Sequence, residues 1–251
     1  MTQTPPTIRR ERHELKRRHL TVTQVQRLSP AMIRVTLQGA EMADFPSPAF
    51  DDHCKLVLPQ AAGEPVLREY TPRRVDRAAG RLVLDFVDHD GGPAADWARM
   101  AGPGDALTVA GPRGSQVIEG EVGSWLLIGD ETALPAIGRF IEEAAAGTKV
   151  TALVAVTGPE DEQLFDTKAD LDLRWLHRPL EAAADPAPLL AATGTLAPEE
   201  GRFAWIAAEA GVARALREAL LEAGQPLQWM KAAGYWTQGK ADTSDKAIGA
   251  G

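Results

Sequence analysis

The chain has 251 residues, and its 27 lysines and arginines against 35 aspartates and glutamates leave a formal net charge of −8. That balance lacks the excess of positive charge on which DNA or RNA binding draws. A composition that is 44% hydrophobic and 25% charged belongs to an ordered globular protein long enough for two modest domains. The one cysteine, Cys54, excludes an internal disulfide and a Cys-ligated iron–sulfur cluster. With no apolar signal-peptide core in the first thirty residues and no run of about 18 apolar residues, the expectation is cytoplasmic residence without membrane insertion.

In chain order, residues 1–17 read as a solvated, flexible arm, with Arg9, Arg10, Arg12, Lys16, Arg17 and Arg18 only partly offset by Glu11 and Glu14. A β-rich domain is expected over residues 18–119. Its predicted strands are Leu20–Leu28, Met32–Gln38, His53–Leu58, Val66–Arg73, Arg81–Val87 and Ala106–Ala110, each bounded by Gly or Pro, a spacing that indicates an antiparallel β-barrel or sandwich. One helix interrupts it, opening at Pro93 and ending at Met100 before Gly102-Pro103-Gly104.

After Gly123 the pattern alternates between strand and helix. Strands are expected at Ser124–Gly129, Lys149–Thr157, Leu171–Leu176, Arg202–Ala207 and Leu227–Ala232, with helices at Leu134–Ala146, Pro186–Ala192 and Val212–Ala223. That alternation implies an α/β domain with a parallel sheet over residues 123–240, followed by a loose tail at 241–251.

Two segments of the β-rich half carry chemistry. In Arg68-Glu69-Tyr70-Thr71 the two-residue strand period points Arg68 and Tyr70 the same way, so a guanidinium and an aromatic ring share one face. The pair suits a dinucleotide, with phosphate on the guanidinium and a flat heterocycle against the phenol, although a solvent-facing Arg and Tyr would read alike. In His89-Asp90-Gly91-Gly92-Pro93-Ala94-Ala95-Asp96-Trp97 a glycine-rich turn precedes a helix start. Free backbone N–H groups there make an anion cradle, or form an ordinary loop and helix.

The order Asp52-His53-x-Lys55-Leu56, Arg68-x-Tyr70-Thr71, His89 before Gly92-Pro93-Ala94-x-x-Trp97, Gly129-Asp130-Glu131-Thr132-Ala133-Leu134-Pro135, and Gly234-Tyr235-Trp236 closely resembles the siderophore-interacting protein family. These are FAD-dependent ferric-siderophore reductases of the ferredoxin reductase superfamily, and the resemblance spans residues 18–240. It implies a two-domain fold, an N-terminal FAD-binding β-barrel and a C-terminal nucleotide-binding α/β domain, with NADPH or NADH as electron donor and a ferric siderophore as substrate.

It also implies roles. Arg68 would hold the FAD pyrophosphate, Tyr70 would lie against the isoalloxazine, Thr71 near its N5 edge, and His89 with the amides of Gly92, Pro93, Ala94 and Ala95 would complete the cofactor site. Trp97 would join that site or pack its helix to the barrel. Asp130, Glu131 and Thr132 would line the nicotinamide approach or cap a helix, Glu209 would stand beside the nicotinamide, and Trp236 would cover the flavin or pack between domains. Lys55, Arg73, Lys231 and Lys240 are the candidate cations for an anionic siderophore. The family often has Arg after its Tyr-Trp pair where this chain has Thr237, which puts the siderophore contacts in doubt. Ferredoxin as donor, a different acceptor, and a binding protein without turnover remain as alternatives, as does a 2′-phosphate contact from Arg174 or Arg178. A monomer is expected.

Overall fold

The computed structural model describes residues 3–59, 63–240, 245 and 248. The chain divides into two compact units, one spanning Ile8–Ile118 and the other running from Glu119 onward together with the N-terminal residues up to Thr7. Among the described residues no helix is long and apolar enough to cross a membrane.

The first unit is antiparallel. Its strands are β1 (Thr7–Arg12), β2 (Arg17–Ser29), β3 (Met32–Gln38), β4 (Cys54–Leu58), β5 (Val66–Tyr70), β6 (Arg74–Asp76), β7 (Arg81–Val87), β8 (Ala106–Ala110) and β9 (Gly114–Glu119), with helix α1 (Pro93–Met100) between β7 and β8. Seven strands make one sheet in the order β5-β4-β8-β2-β3-β7-β6. Alternation along them turns Leu20, Val22, Val35, Leu37, Leu56, Leu58, Leu82, Leu84 and Phe86 into one buried cluster. The sheet curls strongly, because Tyr70 on edge strand β5 and Phe86 on β7, far apart in strand order, meet with ring centroids 4.5 Å apart. This is the expected FAD-domain barrel in half-barrel form.

Part of the segment read as a flexible arm is a strand. Thr7–Arg12 is a strand paired with β9, held by backbone hydrogen bonds that its charged, exposed side chains do not advertise. Arg18 is buried rather than solvated: it donates to the carbonyls of Glu41 and Gly111, pairs with Asp44 at 2.8 Å and lies 5.1 Å over the Phe45 ring. Two further strands, β6 and β9, are too short and polar to show the expected alternation.

The second unit is a parallel α/β sheet. In chain order its elements are β10 (Ser124–Gly129), α2 (Leu134–Glu143), β11 (Lys149–Val156), β12 (Asp170–His177), α3 (Ala187–Thr193), β13 (Arg202–Glu209), α4 (Ala210–Glu222) and β14 (Met230–Trp236). The strand order is β12-β11-β10-β13-β14. Chain progression therefore reverses between β10 and β13, and an α/β sheet opens its ligand crevice at the carboxyl ends of the strands flanking such a reversal. β13 is buried at every position, as a central strand covered on both faces must be.

The closing strand is displaced from the predicted Leu227–Ala232. Leu227–Trp229 is a 3-10 turn following Pro226, and the strand starts at Met230. Of the expected loose tail, Asp245 pairs with Gly234 and Ile248 is buried, while the other residues of 241–251 lie outside the described ones.

Candidate functional site

In the antiparallel unit, register puts Arg68 opposite Leu56 and Tyr70 opposite Cys54. Leu56 and Cys54 are buried, so Arg68 and Tyr70 project from the inner face of the sheet's edge strand. Tyr70 packs on Phe86, and Phe86 packs on Trp97 of α1 at 5.7 Å, so three aromatic rings tie the Arg68-bearing strand to the glycine-led helix. Trp97 packs its helix onto the sheet through Phe86, an intermediary that no local motif announces. Burial pushes the Tyr70 phenol up, which keeps it neutral throughout the working pH range. Thr71 follows β5 directly and is buried.

Arg68 is half-buried, and its guanidinium donates to the carbonyl of Leu67; no described carboxylate pairs with it. The start of α1 is equally unmet. Gly92 offers no side-chain cap, Pro93 has no N–H, and the amides of the buried Ala94 and Ala95 find no acceptor among the described residues. Gly91 supplies the positive φ of 75° that turns the chain into the helix. The exposed His89 ring stands over Gly92, where an added Cβ would lie 2.7 Å from Nε2. An unpaired guanidinium, two orphaned amides at a helix tip and an apolar phenol face are the donor set and wall that a flavin dinucleotide needs.

The substrate cations proposed in this unit do not join that group. Lys55 lies on the other face of β4, 3.9 Å from Glu69. Arg73 is buried 3.8 Å from Asp85, a carboxylate that Arg34 also clasps with two 2.7 Å bonds.

In the parallel unit a carboxylate network closes the reversal point. Asp130, just after β10, is buried and accepts from the Thr132 N–H at 2.9 Å, the Thr132 hydroxyl at 2.6 Å, the Glu209 N–H at 3.0 Å and the Trp236 indole N–H at 2.9 Å. Glu209, ending β13, caps α4 by accepting from the N–H groups of Gly211 at 2.5 Å and Val212 at 3.1 Å, and also accepts from Gln238 N–H at 3.2 Å. A bulge between Ala208 and Glu209 puts Trp236 rather than Tyr235 opposite Glu209. Gly129 permits the tight approach, since a Cβ there would fall 2.7 Å from the Ala207 carbonyl.

Glu131 is buried beside this network and paired with buried Arg178 at 2.6 Å. Desolvation, then the Asp130 charge, raises its pKa against the pull of Arg178. Arg178 is therefore committed to Glu131, and the exposed Arg174 is committed to Asp172 at 2.6 Å. Lys231 stands at the start of β14, not at its end, because the strand begins three residues later than predicted; it is remote from Trp236 by the length of the strand. Lys240 is exposed in a turn whose N–H bonds the Thr237 carbonyl at 3.1 Å.

Comparison with known proteins agrees with both halves of this geometry. Residues 122–239 match the siderophore-interacting protein model, and residues 21–66 and 60–116 match the siderophore-interacting FAD-binding domain. An NADPH-dependent ferric-chelate reductase of Escherichia coli K12 is 35% identical over 94% of this chain and 99% of its own length. The chain belongs to the siderophore-interacting protein family. The crystal structure of a siderophore utilization protein from T. fusca superposes with a TM-score of 0.88 at 35% identity, covering 96% of this chain and all of that one. The ferredoxin reductase of carbazole 1,9a-dioxygenase, at 18% identity and a TM-score of 0.65 over 87% of this chain and 69% of its own, shares the fold.

Proposed function

We propose that this family member is a cytoplasmic, FAD-dependent ferric-siderophore reductase that draws its electrons from NAD(P)H and works as a monomer. The observation carrying the cofactor assignment is the ring contact Tyr70–Phe86–Trp97, which links the strand bearing Arg68 to the helix whose start is uncapped. The relative named as an NADPH-dependent ferric-chelate reductase supports the donor and the acceptor class.

Arg68 would neutralise diphosphate charge, and the N–H groups of Ala94 and Ala95 would donate to phosphate oxygens at the helix tip. Tyr70, neutral and held by Phe86, would give the flavin ring an apolar wall, and Thr71 and His89 would border the same cofactor. FAD, when bound, supplies the conversion of a two-electron hydride donor into single-electron steps. One NAD(P)H gives up a hydride, so two ferric ions become ferrous and NAD(P)⁺ and one proton remain. Ferrous iron then leaves, since hard oxygen chelators hold the larger, less charged ion more weakly. Asp130, Glu209 and Trp236 form the rigid polar edge against which the nicotinamide nucleotide is oriented, and Lys240 is the exposed cation nearest that edge in sequence.

The test is direct. The purified protein is examined for a flavin spectrum, then given a ferric siderophore, a ferrous-specific chelator, and NADH, NADPH or reduced ferredoxin in turn. Coloured ferrous chelate with a pyridine nucleotide is the expected result. Inability to take up FAD would overturn the cofactor assignment, a flavoprotein that never yields Fe(II) would remove the substrate, and turnover with ferredoxin alone would replace the donor.

A further inference from the structure

The parallel sheet has a second end. Arg202 is the first residue of β13, as Glu209 is its last, so it lies at the amino end of the strand, away from the Asp130 network. Its side chain is buried, with 8% of the residue exposed. Nη2 donates to the Ala197 carbonyl at 2.9 Å, Nε has no acceptor, and no described carboxylate forms an ion pair with the guanidinium. Burial lowers its pKa, the exposed Glu199 being the charge that opposes this. A guanidinium withdrawn from water without a carboxylate in contact is costly, and protein interiors seldom leave one so.

Arg202 lines a cavity of about 420 Å³ between the last turns of α3 and α4 and the approach to β14. Leu190, Leu196, Leu220 and Trp229 give it an apolar wall. An apolar pocket of a few hundred Å³ with one convergent polar group is the usual form of a small-molecule site. None of these residues takes part in the arrangement assigned above to FAD or to the nicotinamide nucleotide.

We propose that this cavity binds a small organic monoanion, with its carboxylate on Arg202 and its apolar body against Leu190, Leu220 and Trp229. A single cation with the acidic Glu199 and Glu200 at the lining favours one negative charge over the two of a phosphate monoester. The apolar wall favours an aromatic or aliphatic body over a sugar or an amino acid.

Calorimetric titration of the full chain with 2-naphthoate and with its neutral counterpart 2-naphthamide tests the site. The acid binds saturably, and the amide about tenfold more weakly, since it lacks the charge-assisted bond. Arg202→Gln brings the acid down to the level of the amide. Ala223→Trp, at an exposed position beyond α4, fills the cavity and abolishes both while leaving Arg202 in place. Arg68→Gln, in the other unit, leaves naphthoate binding unchanged, which separates this site from the cofactor assignment. No saturable binding, equal affinity for acid and amide, or undiminished binding in Ala223→Trp would overturn the proposal. Should Arg202→Gln fail to fold, the acid and amide comparison on the unaltered chain and the Ala223→Trp variant still decide it.

Discussion

The helix opening at Pro93 and the helix opening at Ala210 each follow directly on the end of a strand or its turn, yet their first amides meet different fates. In α4 the Glu209 carboxylate takes the N–H groups of Gly211 and Val212, and Asp130 ties the neighbouring backbone to Trp236. In α1 no described residue takes the amides of Ala94 and Ala95, because the cap residue is a glycine. The loop into α2 is closed as well, with the Ala133 and Leu134 amides on the Asp130 carbonyl. A helix tip can serve its own fold or an external anion; the tip of α1 is left open among the described residues, while those of α2 and α4 are met by the Asp130 carbonyl and the Glu209 carboxylate.

The largest expected effect is at the partner of the open tip. Arg68→Gln removes the unpaired guanidinium and should weaken FAD by about a hundredfold, the worth of a charge-assisted phosphate pair. Arg68→Lys should recover part of that, since a point charge cannot reproduce the bidentate contact. Flavin-fluorescence titration of the apoprotein reads both, and unchanged affinity in Arg68→Gln would detach Arg68 from the cofactor.

Closing the open tip breaks the comparison from the other side. Gly92 has extended φ and ψ that any residue adopts, so Gly92→Asp in a His89→Ala background, which clears the ring above it, gives α1 the cap that Glu209 gives α4. Thermal stability should rise by about 0.3–0.5 kcal/mol while FAD affinity falls about tenfold, because the new carboxylate occupies the amides and repels phosphate. A more stable protein with undiminished FAD affinity would show that these amides are not the cradle. The converse change, Glu209→Ala, should cost about 1–2 kcal/mol of stability and leave FAD affinity alone. Asp130→Asn should cost a similar amount, about 2 kcal/mol, by turning an amide N–H toward the Trp236 and Glu209 donors. Denaturant unfolding followed by Trp fluorescence measures both.

Much of this was legible in the sequence, and what was not shares a cause. Met32–Gln38, Arg81–Val87, Pro93–Met100 and Ser124–Gly129 follow from clear periodicity between Gly and Pro breaks, and their bounds are the observed ones. The shared face of Arg68 and Tyr70 follows from strand period alone. By contrast, Leu227-Gln228-Trp229 is too short a run to separate a strand from a 3-10 turn, so the last strand begins three residues later than its sequence indicates and Lys231 falls at its start. Strand β1 is built on backbone pairing beneath charged side chains, and the burial of Arg18 depends on carbonyls 23 and 93 positions away. The Trp236 to Asp130 bond crosses 106 positions, and the use of Glu209 as a cap depends on where β13 ends. Such long-range pairings leave no local pattern to read.

The smallest effect contrasts two carboxylates, one from each unit, and needs no loss of activity to be seen. Asp44, exposed, is pulled down to about 2, first by the Lys16 hydrogen bond and then by that of Arg18. Its folded value lies below its unfolded one, so its contribution to stability is present above about pH 4 and is lost as the pH falls through about 2. Glu131 moves the other way, raised chiefly by burial. A carboxyl whose folded value exceeds its unfolded one adds stability at low pH and loses it as the pH rises through the folded value, so the Glu131 ionisation opposes folding near neutrality even with Arg178 in place. Carbon-detected NMR titration of the side-chain carboxyls should find Glu131 protonating above its ordinary value of 4.5 while Asp44 stays ionised until about 2. Asp44→Asn should then flatten the acid limb of the stability curve only slightly, as suits a solvent-screened pair. If the two groups titrate together near pH 4, the parallel unit's carboxylates are not desolvated by the network described for them, and the contrast between its closed crevice and the open tip of α1 loses its electrostatic half.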